Sequence, residues 1–152
     1  MIDIDRILLE VERYVPEHTD QISLQTIPGG IDPSYGTGRL ERLKHKEVDF
    51  TEPMFPEMEY TNQIIKELGM FRTRLMTLKP YQCYSYHVDP SPRIHIPLIT
   101  NPNCFMIIDD ILYRYPADGN YYVADTTKIH TFVNASTEYR VHIVGGITGL
   151  DR

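Results

Sequence analysis

Eight short strand candidates crowd into residues 70–146, and this spacing constrains the fold more than any other feature of the chain. They are FRTRLMTL, YQCYSYHV, RIHIPLI, CFMIID, ILYRY, YYVAD, KIHTFV and YRVHIVGG. Turn signals separate them: KP, DPSP, TNPN, a DD pair, PADGN, DTT and NAST. Strands so short and so evenly punctuated cannot each carry a crossover helix. They predict an antiparallel sandwich, barrel or jelly roll.

The first 69 residues read differently. Residues 3–15 predict an amphipathic helix with Ile4, Ile7, Leu8 and Val11 on one face. ISLQTI alternates as a strand. Residues 28–40 form a glycine- and proline-rich stretch that predicts a long loop. Residues 56–69 predict a second helix, with Met58, Ile64, Ile65 and Leu68 apolar and Gly69 as its stop. At 152 residues the whole chain suits one domain, 1–152, with two helices outside a strand-rich core.

Fifteen basic against 21 acidic residues give a net charge of −6, which argues against a nucleic-acid binder. The N-terminus carries charges throughout, and runs such as CFMII are far too short to span a bilayer, so neither secretion nor membrane insertion is expected. The cytoplasm is the expected compartment. Cys83 and Cys104 sit in strand text and are expected to be small buried groups rather than a disulfide.

Three of the six histidines start an H-x-D/E pattern: His18, His45 and His87. His18 lies in a polar turn and His45 in the charged stretch ERLKHKE, so both are expected at the solvated surface. His87 ends a strand candidate just before a turn. On a strand, residues i and i+2 share a face, so His87 and Asp89 can offer a nitrogen and a carboxylate oxygen to one point. A second histidine would complete the facial triad typical of non-haem Fe(II) sites. His130 in KIHTFV is the best candidate. A hairpin centred on Ala135 would set His130 opposite Arg140, so that both point inward. A buried arginine calls for an anion. Arg93 and His95 form a further same-face pair, and His142 shares a face with Arg140.

The same residues carry a family resemblance. HVD, then RIHIPLI, then CFMIID, then a histidine ten residues before the arginine of RVHIV, resemble the aspartyl/asparaginyl β-hydroxylase family over roughly residues 70–146. ISLQT and DPSYGTG resemble short phage and bacterial members. The resemblance implies a double-stranded β-helix, that is, a cupin-like jelly roll. It also implies Fe(II) as metal, and 2-oxoglutarate and dioxygen as co-substrates. It matches His87, Asp89 and His130 to the metal ligands. Arg140 matches the arginine that grips the distal carboxylate of 2-oxoglutarate, and Arg93 with His95 match a pair beside its metal-proximal carboxylate. Vertebrate-type members lack the triad carboxylate, whereas Asp89 is present here. They carry a serine where this chain has Met76, which leaves one co-substrate hydrogen bond to another group such as Tyr84 or Tyr86.

The prime substrate implied is an Asp, Asn or other side chain in a protein or peptide, or a small molecule. Tyr35 and Arg39 on the 28–40 loop are candidate substrate contacts, and that loop reads equally as a lid or as a surface connection. Tyr81, Tyr84 and Tyr86 are expected to pack in the barrel. Two other readings stay open: a cupin-like metal-binding isomerase or small-ligand sensor, and a structural jelly roll without metal.

Overall fold

The computed structural model describes residues 1–149; the last three residues of the expected single domain lie outside the described residues. Its elements run α1 (Ile4–Tyr14), β1 (Gln21–Ser23), β2 (Gln25–Thr26), a 3-10 turn (Glu47–Asp49), β3 (Glu52–Pro53) and α2 (Glu59–Glu67). Then follow β4 (Phe71–Leu78), β5 (Gln82–Cys83), β6 (Arg93–Ile99), β7 (Cys104–Ile108), β8 (Ile111–Tyr113), β9 (Tyr122–Ala124), β10 (His130–Asn134) and β11 (Arg140–Gly146). Each of the eight expected strands is present. Most are trimmed at their ends, and the second shrinks to two residues plus an isolated bridge at His87.

The last eight strands form two sheets, ordered β4-β11-β6-β9 and β5-β10-β7-β8, and β1 extends the first beside β4. The chain changes sheet at every connection except β7 to β8. That crossing pattern makes the domain a mainly-β, cupin-like jelly roll with two peripheral helices. It also corrects the expected hairpin about Ala135. β10 pairs with β5 and β7, while β11 pairs with β4 and β6. The reason is local. Asn134 donates to the carbonyls of Leu78 (3.2 Å) and Glu138 (2.7 Å), and Ser136 closes back on the Asn134 side chain. The NAST segment therefore turns the chain across to the other sheet. His130 and Arg140 face the same interior from opposite walls.

The five-stranded sheet divides its residues by face. Ile22, Leu75, Ile94, Ile96, Leu98 and Ile143 point outward and meet Ile7, Met58 and Ile65 from the helices. The opposite face carries Arg74, Val144 and His95, which the register sets side by side. The sheet thus buries aliphatic side chains under the helices and turns its cations and histidines into the roll. Leu78, Met106, Ile108, Ala124 and Phe132 fill the apolar remainder of that interior.

Helix α1 starts on Asp3, whose side chain accepts from the Arg6 amide (3.1 Å). Helix α2 starts on a borrowed cap: the Glu10 carboxylate accepts from the amides of Tyr60 (3.1 Å) and Thr61 (2.8 Å) and from the Thr61 hydroxyl (2.6 Å). This clamps the two helices together. Glu10→Ala should lower stability by about 1–2 kcal/mol in urea unfolding. A midpoint unchanged from wild type would show that the cap is dispensable. Gly69, at φ +66°, ends α2 in the left-handed region, as its place in the sequence predicts. Among the described residues, no helix is long and apolar enough to cross a membrane.

Candidate metal centre

Residues 82–87 run along β10, and the backbones of His87 and His130 exchange both hydrogen bonds (3.0 Å each way). Opposed residues of such a pair share a face, which sets the two imidazoles against each other with ring centroids 4.3 Å apart. The Asp89 amide bonds to the Thr126 carbonyl (2.8 Å), which brings its carboxylate to the same point. His87, Asp89 and His130 each offer a ligand atom within 4.8 Å of the others.

The second ring nitrogens decide which atoms face inward. Nδ1 of His87 donates to the Ser85 carbonyl (2.8 Å), and Nδ1 of His130 donates to the Lys128 carbonyl (2.9 Å). A carbonyl only accepts, so each neutral ring keeps its proton on Nδ1 and presents the Nε2 lone pair. The two Nε2 atoms lie 3.6 and 3.3 Å from the Asp89 carboxylate oxygens. His130 Nε2 is buried and has no hydrogen-bond partner. Three acceptors thus converge with no donor among them, an arrangement that a cation completes. Burial pushes the Asp89 carboxyl up, but its surroundings, the Arg93 guanidinium among them, outweigh this and hold it below the usual carboxylate range. The carboxylate is therefore ionised at neutral pH and ready to ligate.

Arg93 is committed elsewhere than the sequence suggests. Its guanidinium pairs with Glu47 (2.8 Å) and with Asp89 (3.5 Å), and it also donates to Ser91. Glu47 takes Arg72 as well (3.1 Å). Glu47 belongs to the charged stretch around His45 that reads as solvated surface. It is instead buried, because two interior guanidiniums need a counter-charge. His45 is only half-exposed. Its Nδ1 lies 2.7 Å from the Tyr35 hydroxyl, and both rings pack on Phe50.

Arg72 adopts φ +48°, uncommon in a strand, where the β4–β11 register shifts. The shift aims its guanidinium at the loop, where it donates to the carbonyls of Gly36 (2.9 Å) and Gly38. Gly36 has no room for a side chain: a Cβ would lie 2.9 Å from the Phe50 ring. The 28–40 loop is thus bolted to the barrel. Tyr35 serves that anchorage and does not line the cavity beside the triad, whereas Arg39 does.

That cavity, about 730 Å³, opens over His87 and Asp89 and is walled by Arg72, Arg74, Arg93 and Glu47. Arg140 and His95 are not on its wall. Arg140 is buried with its guanidinium 5.7 Å from the centre of the Phe132 ring, and it forms no hydrogen bond or ion pair among the described residues. Burial drops its pKa to about 10. His95 Nδ1 meets His142 Nδ1 (3.0 Å), so one ring donates to the other, and burial holds both well below the usual histidine range. Phe132 touches His130 (5.5 Å between centroids) and His95 (5.7 Å), and so stands in contact with both the triad and the Arg140 group.

Other expectations need correction. Cys104 is buried, with its thiol on Asn134 Oδ1 (3.2 Å), but Cys83 is exposed because β5 is a two-residue edge strand. Tyr84 packs on Phe132 and lines the cavity, whereas Tyr81 and Tyr86 are exposed. Arg72, Arg74 and Glu47 were not singled out. Arg72 and Arg74 had a legible signal, since R-x-R inside an apolar strand sets two cations two residues apart.

Residues 37–147 match the sequence model of the aspartyl/asparaginyl β-hydroxylase family. The chain belongs to that family. No curated protein matches it. Among solved structures, a cupin domain from Bordetella pertussis Tohama I is 15% identical, with 51% of this chain and 80% of that chain covered and a TM-score of 0.44. A cupin superfamily protein from Desulfitobacterium hafniense DCB-2 is 10% identical, with 50% and 66% covered and a TM-score of 0.40. Membership of the β-hydroxylase family makes the chain a hydroxylase-type protein, and the His-Asp-His group is its candidate metal centre.

Proposed function

We propose that this β-hydroxylase family member is an Fe(II)- and 2-oxoglutarate-dependent dioxygenase. It hydroxylates a C–H bond of an Asp, Asn or other side chain in a protein or peptide, or of a small molecule. The observation that carries this reading is the convergence of the His87 and His130 Nε2 lone pairs on the Asp89 carboxylate, with no donor among them. Two imidazoles and one carboxylate suit Fe(II) and leave one face open for other ligands. Bound there, iron supplies the coupled oxidation in which 2-oxoglutarate and dioxygen yield succinate, carbon dioxide and one hydroxylated C–H bond.

The chain's own residues set the conditions. The Ser85 and Lys128 carbonyls fix both imidazole tautomers. Arg93 holds the Asp89 carboxylate, and Glu47 balances Arg93. Arg140 is a buried cation with no anion among the described residues, which suits the distal carboxylate of 2-oxoglutarate. His95, oriented by His142, lies against the Phe132 ring. Phe132 and Tyr84 pack edge to face and line that side of the cavity.

The test is succinate release under iron and 2-oxoglutarate, screened against candidate substrates. Arg140→Ala is expected to raise the KM for 2-oxoglutarate by about 10- to 100-fold, the worth of a charged hydrogen bond, while metal affinity stays unchanged. Unaltered oxoglutarate turnover in that variant would remove Arg140 from the co-substrate site and favour a cupin-like isomerase or sensor.

A further inference from the structure

Arg74 projects from β4 beside Val144 and lines the cavity next to the triad. It is 6% exposed, and burying a guanidinium is costly unless an anion meets it. No carboxylate does so among the described residues. Among the described residues its only hydrogen bond runs from Nη1 to the neutral Gln21 amide oxygen (3.0 Å), and its Nε is buried without a partner.

The carboxylates within range are already taken. Glu47 is held between Arg72 and Arg93, and Asp89 faces the two histidines. Three guanidiniums therefore share two carboxylates on this wall, and Arg74 carries the uncompensated charge. Burial, together with Arg72 and Arg93, lowers the Arg74 pKa to about 9, so it stays a cation at neutral pH.

We infer that Arg74 is a specificity-determining residue that receives an anionic group, a carboxylate in the first instance, of the prime substrate. This rests on the reading above only in taking the cavity beside the triad as the place where the reactants meet. A carboxylate at Arg74 could also come from the co-substrate. The prime substrate is favoured because Arg140, behind Phe132, is a second partnerless cation, whereas Arg74 stands on the open cavity beside the 38–41 segment. A neutral amide in the same place would leave the charge unmatched and would be discriminated against.

The experiment uses matched probes: N-acetyl aspartate amide against N-acetyl asparagine amide, and the glutamate and glutamine counterparts. Binding to the full, metal-free chain is measured by ligand-observed NMR, so the result does not depend on turnover. Wild type should prefer the acidic member of a pair by at least about tenfold. Arg74→Gln should bring that ratio close to one, and Arg74→Lys should keep most of it. Calorimetric affinity for 2-oxoglutarate should be the same in all three proteins. The inference is overturned if wild type shows no acidic preference or binds neither member, or if Arg74→Gln keeps the preference. It is also overturned if Arg74→Gln weakens 2-oxoglutarate instead. Absence of oxoglutarate turnover would count against the proposed function while leaving the binding result to judge Arg74.

Discussion

His130→Ala is expected to lose metal binding altogether in the concentration range where wild type saturates. Removing a group that merely supports a ligand costs about 10- to 100-fold in metal affinity, so removing a ligand costs more. The substitution leaves the His87–His130 backbone bridge in place, because those bonds are main-chain. Its effect therefore separates coordination from folding. Anaerobic Fe(II) titration, with circular dichroism as the fold control, measures it, and His87→Ala and Asp89→Ala should behave alike. Stoichiometric iron in any of the three alanine variants would sink the triad, and wild-type protein that takes up no iron would favour the structural jelly roll.

Glu47→Ala is expected to cost roughly 3–5 kcal/mol of folding stability, the penalty for leaving a buried charge unpaired. Two guanidiniums, Arg72 and Arg93, lose their shared counter-ion, and the bolt between the barrel and the 36–38 segment loosens with them. Burial raises the Glu47 carboxyl, but Arg93 and Arg72 outweigh it and hold it below its usual 4.5. A lowered folded-state pKa contributes stability that is fully present above the unfolded value and is lost as pH falls through the folded one. Wild type should thus be most favoured over Glu47→Ala above about pH 5, with the gap closing in stronger acid. Urea unfolding at several pH values measures both quantities. A gap below 1 kcal/mol at neutral pH would mean that water, not Glu47, satisfies the arginines.

Half of the candidate site could be read along the chain. His87 and Asp89 are two apart on a strand candidate, and strand geometry alone turns them the same way. The eight strands were legible because short runs and turn residues are local signals. The hairpin that points to His130 in the sequence does not form, and only the family resemblance marks this residue independently. His130 meets His87 because residues 82–87 lie along β10, a pairing across more than 40 residues that no local pattern encodes. Glu47 was hidden for the same reason. Its stretch is polar and looks solvated, and only the fold reveals the two buried cations it serves. Arg74 was overlooked although R-x-R within an apolar strand is a local signal, since nothing local told which face of β4 would turn inward.

What the amino-acid order determined by itself was a strand-rich sandwich, barrel or jelly roll, two outer helices and the candidate ligand pair His87 and Asp89. Each follows from periodicity and turn chemistry, which are signals local in the chain. Only the tertiary structure decided how His130 reaches the other two candidate ligands, that Glu47 neutralises Arg72 and Arg93, and that Arg74 and Arg140 have no anion among the described residues. These depend on which sheet each strand joins. That choice comes from packing the aliphatic face of β4, β6 and β11 under the helices, which turns the charged face of the same strands inward.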